Sequence, residues 1–463
     1  MMRSLFSGVS GLKNHQTRMD VIGNNISNVN TTGFKSARAT FTDMLSQTLS
    51  GAAAPQDNVG GVNPKQIGLG SSVGAIQTIF TNGSVQSTGK NTDLCLSSEN
   101  ALFILNTTTG TAYTRNGAFE FDADGNYVQT GNGYFVQGWM GQNGVIDTGA
   151  AVTNITIPSG KTMPPAASAT ATYSNNLNSE VPLITTVTGG SPAGTATVDN
   201  PVTVKLSDGS SVTMTSGKYE VDQSLPLVTT LTVYDTLGSK HDISIYYKMT
   251  KRDSTDGNQW QVAVTTDGSD TTTITEDDGS TTTVKMTPTT LQFDTDGKAT
   301  GATGTTTLML TNGSRGTQTL ALDMSALTQY ASSNTIAGVA DGNAAGTLSS
   351  ISIDNSGAIT GTYTNGKKQV EAQVALQRFT NPAGLTKIGD SLYEDSNNAG
   401  KSGEPNTAAA IGAKITPAAL EMSNVDVADQ FTDMIVTQRG FQSNSKIITV
   451  SDEMLETLIN MKR

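Results

Sequence analysis

An apolar beat of seven residues recurs near both ends of this chain, with a long polar middle between. Leu5, Leu12, Met19 and Ile26 keep it near the start, with Val29 just beyond, and Val427, Met434, Phe441, Ile448 and Leu455 keep it near the finish. Such a repeat holds apolar side chains on one side of a helix and is the pattern of helices that pack along their length. The two ends therefore read as partners. The competing reading, two amphipathic helices each buried on a local core, uses the same residues.

Composition narrows what lies between. At 463 residues the chain has room for several domains, yet only 5% of it is aromatic, and Gly, Thr, Ser and Asn are abundant. That profile suits short strands joined by tight turns. A formal net charge of −12 argues against nucleic acid and against an anionic membrane face as partners. No apolar run approaches the roughly 18 residues that a spanning helix needs. The segment from Met1 to Asp20 has Arg3 but neither a continuous apolar stretch nor a small-residue cleavage site, so it does not read as a cleaved secretory signal. A single cysteine, Cys95, excludes an internal disulfide and reads as a small buried apolar residue.

Residues 3–30 lack Pro, so a helix of about 40 Å is expected there. The stretch from Asn24 to Lys35 ends it, because Asn and Ser side chains compete for local backbone and Gly33 can take positive φ. Residues 36–70 read as a loose connection with one helical turn at Phe41 to Leu45. From about 71 the period changes to two, with strands expected around 75–80, 94–96, 102–105, 113–115, 119–121 and 134–139, and a turn at Asn82-Gly83. Further strands are expected at 202–206, 231–234, 243–247, 259–265, 306–310 and 369–379. Asp122-Ala123-Asp124-Gly125 and Asp294-Thr295-Asp296-Gly297 resemble the start of calcium loops, but neither reaches the bidentate Glu such a loop needs, so hairpin turns are favoured. Ser423-Asn424-Val425-Asp426 reads as a capping box opening the last helix, and Lys462 and Arg463 suit its C-terminus.

The expected class is α+β, with coiled-coil-like terminal helices and nested, mainly β domains. Residues 1–35 and 424–463 would form a helical core, 36–70 and 395–423 connecting segments, 71–145 and 351–394 a β-rich meander domain, and 146–350 an inserted outer β-barrel or sandwich. The order is nested, and the helical stripes have no globular core of their own, which a polymer's neighbouring copies would supply.

Ser4-Leu5 with Gly8-Val9-Ser10-Gly11-Leu12, then Met19 to Lys35 with Asn24, Asn25, Asn28, Asn30, Gly33 and Phe34, resembles the N-terminal signature of the flagellar axial proteins, the rod and hook group. Leu420 to Asp426, with Ser423, Asn424 and Val425, and Met434 to Asn444 resemble its C-terminal signature. Tyr113 to Phe119 and Val136 to Trp139 are similar to the group's shared β domain. The large insertion with Leu231 to Ser239, together with Val374 to Phe379, resembles the hook branch and is too large for the distal rod. The strand after Asp93 departs from the group, reading Cys95-Leu96-Ser97-Ser98 where a Gly-x-Gly followed by aromatics is usual.

The resemblance implies a self-assembling subunit of the bacterial flagellum at the basal body and hook, extracellular and exported by the flagellar type III apparatus without a cleaved signal. It further implies a curved tube that transmits motor torque as a universal joint, with the hook cap, distal rod and hook-filament junction proteins as partners, and neither cofactor nor metal. A distal rod or hook-associated axial protein is the alternative within the group. Spirochaete hook members resemble the chain around Lys161-Thr162-Met163-Pro164-Pro165 and Tyr173 to Leu177, and they join subunits through a lysine and a cysteine. Lys161 matches the lysine; Ser174 stands where the cysteine is expected and eliminates far less readily, so the crosslink does not carry over.

Composition suggests a division of labour. Burying about nine stripe residues at roughly 1.5–3 kcal/mol each is ample to order terminal helices on assembly, leaving the ends disordered in a lone chain. The Thr- and Gly-rich outer domains would make wetter contacts that can slide. An enzyme is disfavoured: there are two histidines, His15 and His241, and no nucleophile motif, phosphate loop or metal-spaced cluster. A secreted β-rich adhesin would leave the matched ends without purpose.

Overall fold

The structure, a computed structural model, describes residues 2–55, 60–253, 257–276, 279–300, 303–310, 314 and 316–461. The chain divides into two compact units, one of Met1–Lys161, Ser349–Thr362 and Lys368–Arg463, the other of Thr162–Leu348 and Tyr363–Lys367.

In the first unit, α1 spans Met2–Ser27 and α2 spans Val427–Asn460. Numbers fall along α2 as they rise along α1: Gly8 lies against Ile448, His15 against Gly440, and Asn25 reaches Gln430. The helices are thus antiparallel, and glycines set their spacing. A Cβ at Gly8 would stand 3.4 Å from the Ile448 side chain, and one at Gly440 only 2.6 Å from the His15 ring. The pair is formed between the two ends of one chain. Close backbone approach and long-range side-chain hydrogen bonds supply contacts that a count of apolar stripe residues misses.

The helical turn expected at Phe41 to Leu45 is absent. Ala37–Asp43 is a strand paired antiparallel with Ser71–Thr78, and Ser46–Ser50 pairs with Lys65–Gly68. Thr40-Phe41-Thr42 is a β-branched and aromatic run that favours a pleated strand once a partner arrives from thirty residues on. The meander beyond it is built as the period of two implies. Its central order is Ala358–Tyr363, Lys368–Val374, Phe135–Gln142, Ala101–Thr107, Gly110–Thr114, Leu392–Glu394 and Thr386–Gly389. Leu102, Ile104, Tyr113, Trp139, Phe379 and Tyr393 bury together on it. Asn82-Gly83 makes no turn. Gly83 passes so close to another segment that a Cβ there would overlap the carbonyl of Met422, which explains the glycine without a turn.

The second unit packs a six-stranded and a five-stranded sheet over one core. Along Lys240–Lys251 the alternation is plain: His241, Ile243, Ile245, Tyr247 and Met249 all point inward. Trp260, Phe293, Leu320, Leu322 and Met324 complete the core, and among the described residues its only parallel pairing joins Thr170–Asn178 to Thr317–Tyr330. A smaller sheet of Ile184–Gly189, Val202–Leu206 and Ser211–Met214 keeps its own cluster around Val204 and Tyr219. Both Asp-rich segments are hairpin turns: Asp122 Oδ1 accepts from the amides of Asp124 and Asn126, and Asp294 Oδ1 from those of Asp296 and Lys298. Carboxylates occupied in this way hold turns.

Candidate functional site: the terminal helix pair and its clasp

Three stretches far apart in sequence meet behind the helix pair. Gly33 stands at φ +67° just past α1, where a Cβ would lie 2.5 Å from the Asn116 amide nitrogen, and its own N–H donates to the Glu421 carbonyl at 2.8 Å. Only glycine fits this position, on conformation and on space. Directly after it, Lys35 turns inward and donates from Nζ to Glu421 Oε1 and to the Thr81 carbonyl, both at 2.7 Å. Arg115 approaches the same carboxylate from the β domain, its Nε 2.9 Å from Oε2, while its remaining donors reach Asn82 Oδ1 and the carbonyls of Leu96, Ser98 and Ala101. The Gly83 amide also donates to Oε1, at 2.9 Å.

Lys35, Arg115 and Glu421 are at most 1% exposed, so two cations share one carboxylate in a dry interior. Burial pushes the Lys35 ammonium below its ordinary range; Arg115 adds to that push and Glu421 opposes it. The arrangement holds because nearly every donor has an acceptor, and removing Glu421 would strand both cations.

Asparagines extend this clasp. Asn25 reads the backbone of Ala37 in both directions, at 2.8 and 3.0 Å, and donates to Gln430 of α2 at 2.9 Å. Asn424 accepts from the Ser36 amide and donates to the carbonyls of Ile79 and Thr81. These amides act as backbone surrogates where the chain leaves one helix and enters the other. Phe34 is buried, with Lys387 Nζ 3.9 Å from its ring centre. Of the other motif positions, Asn28 donates to the Asn24 carbonyl and helps end α1, Asn24 and Asn30 are exposed, and Val425 is half-buried.

The helix start differs from the expected capping box. Asp426 is the N-cap, accepting from the amides of Ala428 and Asp429 at 2.8 and 3.3 Å, whereas Ser423 is buried and its hydroxyl accepts from Val425 N–H. The Asn424 side chain is taken up by Ser36, Ile79 and Thr81, and the side chain that reaches the first free amides of the helix is Asp426. Lys462 and Arg463 lie outside the described residues.

The stripe residues divide in the folded chain. Leu5, Leu12, Met19, Ile26 and Val29 are half-buried, as are Met434, Ile448 and Leu455, while Phe441 and Val427 are 40% and 37% exposed. The most deeply covered positions on α2 are small and polar, Thr437 and Ser451. At 100° per residue, Val436, Val450, Met454 and Leu458 form a second apolar flank that α1 leaves open, each 38–56% exposed. The seven-residue beat did not reveal this flank, because its members sit off the beat; a search for a second 3.6-period stripe on the same helix would have found it.

Lys161 donates to the fully buried Glu371 carboxylate at 2.5 Å. Ser174 lies in the strand Thr170–Asn178, and Cys95 is buried, its thiol pushed up by burial. Among the described residues no group of acidic, His or Cys side chains could hold a metal ion, and no helix is long and apolar enough to cross a membrane.

Family models match the segments that meet here: the flagella basal body rod protein over 5–35, the flagellar hook protein FlgE/F/G D1 domain over 100–172 and the flagellar basal body rod FlgEFG protein C-terminal over 416–461. The flagellar basal body protein FlaE D2 domain matches 219–343, inside the second unit. Across the whole of both chains, the sequence is 38% identical to the flagellar hook protein FlgE of Treponema pallidum and 39% identical to that of Borreliella burgdorferi. The chain belongs to the flagellar hook protein FlgE family. The flagellar basal-body rod protein FlgG of Bacillus subtilis is more distant, at 30% identity over 100% of both chains. As a FlgE family member the chain is a structural subunit of the flagellar hook, and its relatives of this name are structural proteins rather than enzymes. Family membership also explains why the motif stretches converge: Gly33, Lys35, Arg115 and Glu421 come from three separately matched segments.

Proposed function

We propose that this hook subunit assembles through the terminal helices into a curved, flexible tube that couples motor torque to the filament. The carrying observation is the second apolar flank of α2, Val436, Val450, Met454 and Leu458, left exposed after α1 has taken the first. A further copy has the chemistry to cover it, since an exposed stripe of this length marks an interaction face. The ribbon beside the helices points the same way. Leu49, Ile67 and Ile76 are 41–57% exposed on two-stranded pairs, which are marginal in water without a neighbour, and Leu45 between the strands is 82% exposed.

In this reading residues 1–35 and 424–463 are the axial core, 36–70 and 395–423 the connections, 71–145 and 351–394 the middle domain and 146–350 the outer domain. The subunit leaves the cell through the flagellar export apparatus. Its polymer is extracellular and meets the hook cap, the distal rod and the junction proteins. Lys161, paired with Glu371, takes no covalent role.

Electron microscopy of full-length protein at rising concentration in a kosmotropic salt tests the reading, beside the variant Val450→Asp/Met454→Asp. Short curved tubes from the native chain alone are expected; tubes of equal yield from both would move the assembly face off α2.

A further inference from the structure

His15 sits where the two helices and the ribbon converge. Its ring lies against Gly440 of α2, so close that a Cβ there would fall 2.6 Å from Cε1, and it meets Phe41 of the ribbon edge-on, with ring centres 6.1 Å apart. Its Nδ1 is buried and has no hydrogen-bond partner. The charges around it offer no compensation for a proton. On α1 the nearest is the Arg18 guanidinium, itself a cation, with Lys13 and Asp20 also on that helix. On α2, Asp433 is 2.9 Å from Arg18 and Arg439 bonds Gln442. Ala37–Asp43 carries Arg38 and Asp43, and Ser71–Thr78 carries no charged side chain.

We propose that His15 is an acid-sensitive lock on the terminal helix pair: neutral, it fills the space against Gly440; protonated, it drives α1 and α2 apart. The new N–H at Nδ1 would be a buried donor without an acceptor, on a cation beside Arg18. Burial, and after it Arg18, already hold the imidazole below its ordinary value of 6.5. The sign follows. As pH falls past about 6.5 the separated helices take up the proton first, so the packed state is at full strength above that value and weakens below it. The consequence for the hook rests on the assembly reading above: tube growth through these helices would be confined to neutral and alkaline conditions.

The test uses the full chain, dilute enough to remain monomeric, with amide exchange over 5–26 and 430–455 followed between about pH 7.5 and pH 5 and corrected for intrinsic rates. Native protein should lose protection by about tenfold for each unit that the His15 pKa lies below 6.5, and His15→Gln and His15→Leu should not. Equal pH dependence in native and variants, lack of protection at both pH values, or a His15 imidazole titrating at or above 6.5 by NMR would each overturn the lock. Two substitutions of different size guard against a merely misfolded variant, with circular dichroism at neutral pH as the check. Tube yield is scored separately: absence of tubes at every pH, with His15-dependent opening intact, would sink the assembly reading and leave the lock standing.

Discussion

The helix pair and the inserted β unit solve the same problem with opposite materials. In the insertion, Trp260, Tyr173, Tyr247, Phe293, Ile243, Ile245 and Met249 are each at most 1% exposed and share one apolar core. In the helix pair, the deepest positions on α2 are Thr437 and Ser451, glycines set the spacing, and asparagines with one buried carboxylate hold the ends together. The insertion is a finished object. The helix pair keeps an apolar flank uncovered, and what fastens it is polar and directional, so it can be specific without being closed.

Breaking the clasp should have the largest effect. Glu421→Ala leaves Lys35 and Arg115 buried without their carboxylate and should cost about 3–5 kcal/mol. Exchange or calorimetry should show the first unit failing while the Trp260 environment of the second stays native; simultaneous loss of both would contradict the contrast. The mirror experiment, Trp260→Ala, removes an apolar anchor at about 3–5 kcal/mol and should leave the helix pair protected. Overpacking comes next. Gly440→Val places side-chain atoms on the His15 ring and should cost about 1–3 kcal/mol, with exchange rising first around residues 11–18. Asp426→Ala should cost about 1 kcal/mol, seen as fraying of the first turn of α2; an equal loss from Ser423→Ala acting through the helix start would restore Ser423 as the cap. Smallest of all, Met454→Asp should leave monomer stability within about 0.5 kcal/mol, since the side chain is 47% exposed, yet abolish tubes.

Much of this contrast was legible before any coordinates. Period two located Val202–Leu206 and Leu94–Leu96 as strands, and Asp-rich turns with Gly125 and Gly297 at positive φ marked hairpins. Where the reading failed, the deciding partner lay elsewhere in the chain. Phe41 became a strand residue because Ser71–Thr78 pairs with its segment, and Gly83 is required by the carbonyl of Met422 rather than by a turn. Glu421 went unnoticed as a site, although a carboxylate in the buried phase of Ala419–Glu421 is a signal.

From the sequence alone came the two terminal helices, the β texture between them and the likeness to flagellar axial proteins, because each is written in local spacing or in contiguous motifs. Tertiary structure decided which flank of α2 faces α1 and which remains open, that Asp426 rather than Ser423 caps the helix, and that Lys35, Arg115 and Glu421 share one dry site. The physical reason is separation: Lys35 and Glu421 are 386 residues apart, and no local pattern can state that a lysine and a glutamate so distant will be buried against each other.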